Sequence, residues 1–192
     1  MNPKPETIAA ASLQGLREQN KLSAFCARFV AVVTSTQTRF GLSAKKTLIM
    51  PGTVQYQVDL SKLVANDVRW DATTKTLTVN LPPVTVSPPE IDMQAIREYD
   101  SGGILLALTN AETGLDAANR AGAQAELSKQ ARESVTMRLA RDATRRAVAA
   151  NFALPLRAAG LEARVSVRFA DEGQGIDERW DISRSKEEVY GR

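Results

Sequence analysis

Histidine is missing from the whole chain. Without an imidazole there is no Ser-His-Asp or Cys-His nucleophile, no HExxH zinc site and no other histidine-dependent scheme. Cysteine is nearly missing too: Cys26 stands alone, so no internal disulfide can form and the redox compartment is left open. It sits in the apolar run AFCARFVAVV, where a small buried hydrophobe is expected rather than a reactive thiol. Aromatic residues make up 5% of the chain against 43% hydrophobic residues in all, so the core must be aliphatic. No stretch approaches the roughly 18 uninterrupted apolar residues of a membrane span. The opening MNPKPETIAAASLQGLREQNKL has no basic region followed by an apolar core, so it does not read as a signal peptide and the chain reads as soluble.

What is present fits one ordinary domain: 192 residues, 24% charged, with a net charge of only +3, too small to imply nucleic acid by itself. Ile8, Leu13, Leu16 and Leu22 among alanines predict an amphipathic helix over residues 6–22. FCARFVAVVTSTQTRF is rich in β-branched residues and predicts a long strand over residues 25–40. A second strand is expected after Lys45. In TVQYQVDL, Val54, Tyr56, Val58 and Leu60 alternate with polar residues, the period of a sheet with one buried face. That period breaks at Asp59, where an acid before a helical turn reads as a structural cap. DVRWDATTKTLTVNL predicts a hairpin, with Val68 and Trp70 before a polar turn and Leu77, Val79 and Leu81 after it in strict alternation. Two Pro-Pro pairs then bracket VTVS and assign it to an edge strand or an extended connection.

Beyond Gly102-Gly103 the character changes. Thr109 and Glu112 fit a capping box that opens a helix. Leu115, Leu127, Ala131, Val135, Leu139, Ala143 and Ala147, continued by Val148 and Phe152, then form a stripe stepping mainly by four. The expectation is one long helix, or two collinear ones interrupted near Gly114 or Gly122, kinked or ended by Pro155 and stopped at Gly160. LEARVSVRF predicts a closing strand with Val165, Val167 and Phe169 on one face. The fold class is therefore α+β: a small, mainly antiparallel sheet, a long Ala/Arg-rich helix and a C-terminal strand. Residues 1–23 are read as a helix packing on the domain, 24–170 as the domain itself, and 171–192 as a polar, poorly ordered tail except where Trp180 finds a surface.

Candidate chemistry is thin. Ser43-Ala-Lys-Lys46 has the S-x-x-K form of penicillin-interacting enzymes, but its companion elements are missing, and a plain loop is the better reading. Glu90 with Asp92, and Asp67 with Asp71, could pair as carboxylates, yet each pair adjoins turn residues where acids serve solvation and capping. There is no P-loop, nucleophile elbow or dinucleotide fingerprint. No catalytic residue, metal or cofactor is assigned, and an enzyme is not expected. The constellation worth keeping is Arg138, Arg141 and Arg145 on one helix face, with Arg132 and Arg146 nearby and Glu133 and Asp142 opposing them. It could contact an anionic membrane surface or an acidic protein partner, or it could be a solvated face whose arginine stems cover apolar surface. Nucleic acid is disfavoured, because there is no stacking platform and no recognition motif.

These segments also carry a likeness. TLIMPGTVQYQVDLSKL, DVRWDATTKTLTVNLPP, PPEID, an alanine-rich helix and a final strand ending in VRF resemble the bacterial domain-of-unknown-function family numbered 4230, over residues 12 to 169. "VDLSKL" and "TLTVNLPP" are the most specific segments, and neither is a catalytic signature. The resemblance implies no activity. It implies a membrane span ahead of the domain, as family members commonly have, with this chain as a soluble variant or a soluble head whose Met1 need not be the natural start. The order of elements is similar to the membrane-scaffolding stomatin and prohibitin domains by architecture alone. The leading expectation is a non-catalytic domain, the soluble part of a membrane-associated protein, acting in self-association or partner binding through its sheet face and long helix. The rivals are a small-ligand-binding module, with a pocket between sheet and helix lined by Val, Leu and Tyr56, and a hydrolase using carboxylates.

Overall fold

The computed structural model describes residues 4–39, 41–101 and 111–172. In chain order these form α1 (Pro5–Glu18), β1 (Lys21–Arg39), β2 (Leu42–Asp59), β3 (Val68–Asp71), β4 (Thr76–Leu81), β5 (Thr85–Val86), β6 (Glu90–Ile91), β7 (Arg97–Ser101), α2 (Ala111–Ala131), α3 (Ser134–Ala158) and β8 (Arg164–Phe169). Short 3-10 turns occupy Leu60–Lys62, Ala65–Asp67 and Met93–Ala95. The α+β class holds, but the strands divide into two sheets rather than one.

The first sheet is built on a ribbon. β1 and β2 pair antiparallel from Lys21↔Asp59 to Arg39↔Leu42, irregular only between Ser23 and Phe25, and the connecting turn places Gly41 at φ +75. β2 begins at Leu42, earlier than the sequence suggests, because the alternation that buries Leu48 and Met50 extends back through Lys46 to Ala44. The far side of β2 takes three short strands in succession, β5 at Tyr56–Gln57, β6 at Gly52–Thr53 and β7 at Lys45–Ile49. Bracketed by prolines, β5 is two residues long and lies at the sheet margin. The second sheet has the order β3-β4-β8; the β3–β4 hairpin is antiparallel, and β8 joins β4 in parallel from Thr76↔Arg164 to Leu81↔Phe169.

The main core lies at the open end of the ribbon. Val54, Tyr56, Val58 and Leu60 meet Leu77, Val79 and Leu81 of the second sheet, Leu13 and Leu16 of α1, and Val148, Phe152 and Leu156 of α3. A smaller cluster at the turn end joins Ala31, Leu48 and Met50 to Ala123 and Leu127 of α2. Two glycines permit close approach there. A Cβ on Gly52 would meet Leu127 Cδ1 at 3.0 Å, and one on Gly122 would meet Val33 Cγ1 at 3.1 Å. Gly122 thus packs α2 onto β1 and does not interrupt the helix.

The helical half departs from expectation in one further way. The break falls at Arg132–Glu133, where Glu133 is extended (φ −61, ψ 144), and not at Gly114 or Gly122. Tyr56 donates its hydroxyl to Ala131 O at 2.7 Å, so the last carbonyl of α2 is satisfied by the sheet. The break resets the helical phase. α3 buries Ala140, Thr144, Val148, Phe152 and Leu156, while Val135 and Leu139, expected in the core stripe, are 55% and 51% exposed. Pro155 lies inside α3 without ending it. The stop comes at Gly160 (φ +74), where Gly160 N–H donates to Arg157 O at 2.9 Å and Leu161 N–H to Leu156 O at 3.0 Å, the paired bonds of a Schellman ending.

Candidate assembly surface

Alternation divides β1 between two faces. Phe25, Ala27, Phe29, Ala31 and Val33 turn toward the core clusters, and Cys26, Arg28, Val30, Val32 and Thr34 are exposed on the other side. Cys26 is therefore exposed and not the buried hydrophobe its neighbours suggest. Its run is apolar at both parities, and the register that sets Ala27 opposite buried Val54 decides which set turns inward. On the outer face Val30 (49% exposed) and Val32 (61%) adjoin Pro51 and Ile49, with Tyr99 (60%) one strand further across.

β1 also has an edge that is bare among the described residues. It is the first strand of its sheet, and from residue 22 to residue 39 no backbone group bonds to a described residue outside the ladder with β2. Few devices blunt the edge: residues 21–39 contain no proline or glycine, their charges are Lys21, Arg28 and Arg39 alone, and the single irregularity lies at the start of the strand between Ser23 and Phe25. Arg28 directs its charge away from that edge, its guanidinium meeting Asp92 Oδ2 at 3.0 Å on the β2 side.

The arginine stripe on α3 is largely committed within the chain. Arg141 meets Asp171 at 2.5 Å and Glu172 at 3.9 Å; Arg145 meets Asp142 at 2.6 Å and pairs with Glu172 as well. Both guanidiniums lie over the Phe169 ring, 5.8 and 5.3 Å from its centroid. Burial pushes the Glu172 carboxyl up, but the Arg145 hydrogen bond, the Phe169 N–H and the two arginine charges together outweigh it, and the net effect is downward. Arg138 lines the same small cleft without an ion pair to a described residue. Of the three stripe residues, it alone keeps its charge available to an external anion. Besides Asp142 on the helix itself, the acids that engage the others are Asp171 and Glu172 just after β8, a proximity in space with no signature along the helix.

The candidate carboxylate pairs separate into local roles. Asp67 accepts from Val64 N–H, Asp71 from Thr73 and Thr74 N–H, Asp92 from Arg28 and Glu90 from Gln55. No group of three or more metal-ligating side chains occurs among the described residues. Asp59 caps the turn that follows it: Ser61 donates both its hydroxyl, at 2.5 Å, and its N–H, at 3.2 Å, to Oδ1, and these bonds hold the carboxyl below its ordinary range. Thr109, the side chain of Glu112 and Trp180 lie outside the described residues.

Sequence reasoning missed one polar cluster. Lys46, read as part of a loop, points inward from β2 at 5% exposure, with Nζ 2.5 Å from Asp116 and 3.2 Å from Glu98. Asn119 is buried beside it and donates to Lys46 O at 2.9 Å. The Asp116 and Glu98 carboxylates hold the ammonium above its ordinary range in spite of burial. The signal was available, since Lys46 shares parity with Leu48 and Met50. The chemistry is that of a structural ion cluster joining β2, β7 and α2.

Tyr56 is fully buried between sheet and helices with its hydroxyl engaged, so it lines no open surface. An open cleft of about 930 Å³ lies instead at the end of α3, lined by Lys75, Arg157, Glu162 and Arg164. No described helix is long and apolar enough to cross a membrane. No curated protein and no solved structure matches the chain. The profile described as "Protein of unknown function (DUF4230)" does match, over residues 14–167, and so takes in every described helix and strand except the start of α1 and the end of β8. The chain belongs to the DUF4230 family.

Proposed function

We propose that this is a non-catalytic assembly domain, which self-associates through the first sheet and serves as the soluble part of a membrane-associated protein. The observation that carries the assembly reading is the edge of β1: a long, nearly uncharged row of backbone donors and acceptors with no partner among the described residues, beside a strip of exposed valines. Such an edge is a template for strand addition, and main-chain hydrogen bonds supply the affinity. The membrane part of the proposal rests on the family resemblance and on Arg138, the stripe cation still available to an anionic surface.

Sedimentation equilibrium of the intact chain between about 1 and 300 μM, the range over which a weak dimer would appear, tests the first part. The expected result is a mass rising above the 20.8 kDa monomer, and a monomer throughout would overturn the reading. Flotation with phosphatidylserine vesicles tests the second part. Arg138→Glu should weaken vesicle binding and leave the sedimentation profile unchanged; a chain that ignores the vesicles removes the membrane from the proposal.

A further inference from the structure

The β1 edge is self-complementary, and the geometry points to its occupant. We propose that a second copy of this chain docks antiparallel on β1 about a two-fold axis at Ala31, joining the two first sheets into one. The inference rests on the assembly reading and specifies its contact.

An antiparallel pair of identical strands sets residue i opposite residue 62 − i when the axis passes through residue 31. Parity is then preserved, so outer residues face outer and inner face inner. On the outer face, Val30 meets Val32 of the other copy, Arg28 meets Thr34 and Cys26 meets Thr36. On the inner face, Phe29 meets Val33 and Ala31 meets itself. At the centre apolar residues match on both faces, giving way to Ala27 against Ser35 and Phe25 against Gln37 further out, and no charge faces a like charge. Moving the axis to residue 30 sets Val32 against Arg28, and moving it to residue 32 sets Phe29 against Ser35 and Val30 against Thr34. The two Arg28 side chains are separated by six residues, about 20 Å at 3.4 Å per residue. Each is already engaged by its own Asp92.

The extent is sufficient. Residues 23 to 39 pair in this register, a contact about 58 Å long and about 10 Å thick, or roughly 600 Å² per copy. The total of roughly 1,200 Å² lies above the ~1,000 Å² expected of a specific interface. The irregularity between Ser23 and Phe25 falls at the margin of the pairing.

Cys26 makes the register readable. In the native chain the two copies of Cys26 would lie ten residues apart, about 34 Å, and could not be linked. Thr36→Cys places a thiol opposite the Cys26 of the other copy, at a cross-strand separation that suits a disulfide. Under mild diamide oxidation at about 100 μM, within the concentration range that populates weak dimers, the T36C chain should run mainly as a reducible covalent dimer. The native chain, T36C combined with Cys26→Ser, and Thr38→Cys should not. A second measurement does not depend on sulfur: Val30→Lys with Val32→Lys faces lysine against lysine and should weaken dimerisation at least tenfold, with the circular dichroism spectrum of the native chain retained. A chain that dimerises but cross-links at another position, or remains as tight with both lysines, overturns this contact and leaves the assembly reading standing. A chain that stays monomeric overturns both.

Discussion

Replacing Tyr56 by phenylalanine isolates one hydrogen bond at the joint between sheet and helices. The ring remains to pack against Phe25, 5.3 Å between centroids, and only the hydroxyl is lost. That hydroxyl donates to Ala131 O at 2.7 Å, and both residues are completely buried. Ala131 ends α2, and the chain is extended two residues later, so the carbonyl has no helical N–H to return to. Stranding a buried carbonyl costs about 1–3 kcal/mol. With the ring retained we expect Tyr56→Phe to lose about 2 kcal/mol, which in a chain of this length lowers Tm by about 4–8 °C. Urea denaturation followed by far-ultraviolet circular dichroism measures it. The pH dependence supplies a second constraint. Burial, opposed by the charge of Arg132, raises the Tyr56 phenol above its ordinary value of about 10. A group whose pKa is raised in the folded state contributes stability in full below the unfolded value and loses it as pH climbs through the folded one. The gap between native and variant chains should therefore hold steady up to about pH 10 and narrow above it, because only the native chain has this phenol to ionise. A loss under about 0.5 kcal/mol at pH 7, or a gap that stays level above pH 10, would refute the claim that the hydroxyl secures the break.

Other expectations follow from single positions. Gly160→Ala should destabilise the chain by about 1 kcal/mol, because φ +74 is unfavourable for any residue with a Cβ, whereas Gly15→Ala, in α1 with nothing within 4 Å of the new Cβ, should stabilise it by about 0.5–1 kcal/mol. Opposite signs in parallel urea titrations would bear this out, and equal signs would not. Glu172→Gln should flatten the acid limb of the stability profile: the depressed carboxyl contributes stability above its unfolded value near 4.5, and the native chain loses that contribution as pH falls through the lower folded value. Acid titrations of the two chains that run parallel below pH 4.5 would remove Glu172 from the clasp on Arg141 and Arg145.

Much of the fold was legible because strand periodicity is a local property. TVQYQVDL, TLTVNL and RVSVRF each display their buried face in their own spacing, and Asp59 marks the end of its strand by residue type. What could not be read is set by distant partners. The break at Arg132–Glu133 carries neither glycine nor proline; its carbonyl partner is a tyrosine far away in the chain, and α3 starts in a new phase after it. The division into two sheets is likewise a matter of pairing, since the parallel match of β8 to β4 leaves no trace in either strand alone. The arginine stripe and Asp142 were visible, but Asp171 and Glu172 were not linked to it, because they arrive from beyond β8. Cys26 and Lys46 fail for different reasons. The run around Cys26 is apolar at both parities, so register alone turns Cys26 outward, whereas Lys46 shares the parity of buried Leu48 and Met50 and its burial was masked by its charge.

The two sheets differ in how far apart along the chain their partners lie, and this orders their formation. The β1–β2 ribbon can grow outward from its turn at Gly41, each new pair separated by only a little more chain than the last. The β3–β4 hairpin closes over a short turn in the same way. By contrast, residues 76–81 must wait for residues 164–169, with α2 and α3 lying between. Loop-closure entropy makes such a pairing slow, and on a ribosome it cannot begin until nearly the whole domain has emerged. During that interval the apolar edge of β4, with Leu77, Val79 and Leu81, stands open. The same strand is buried in the finished protein, yet in the nascent chain it presents an unpaired apolar edge of the kind that chaperones shield.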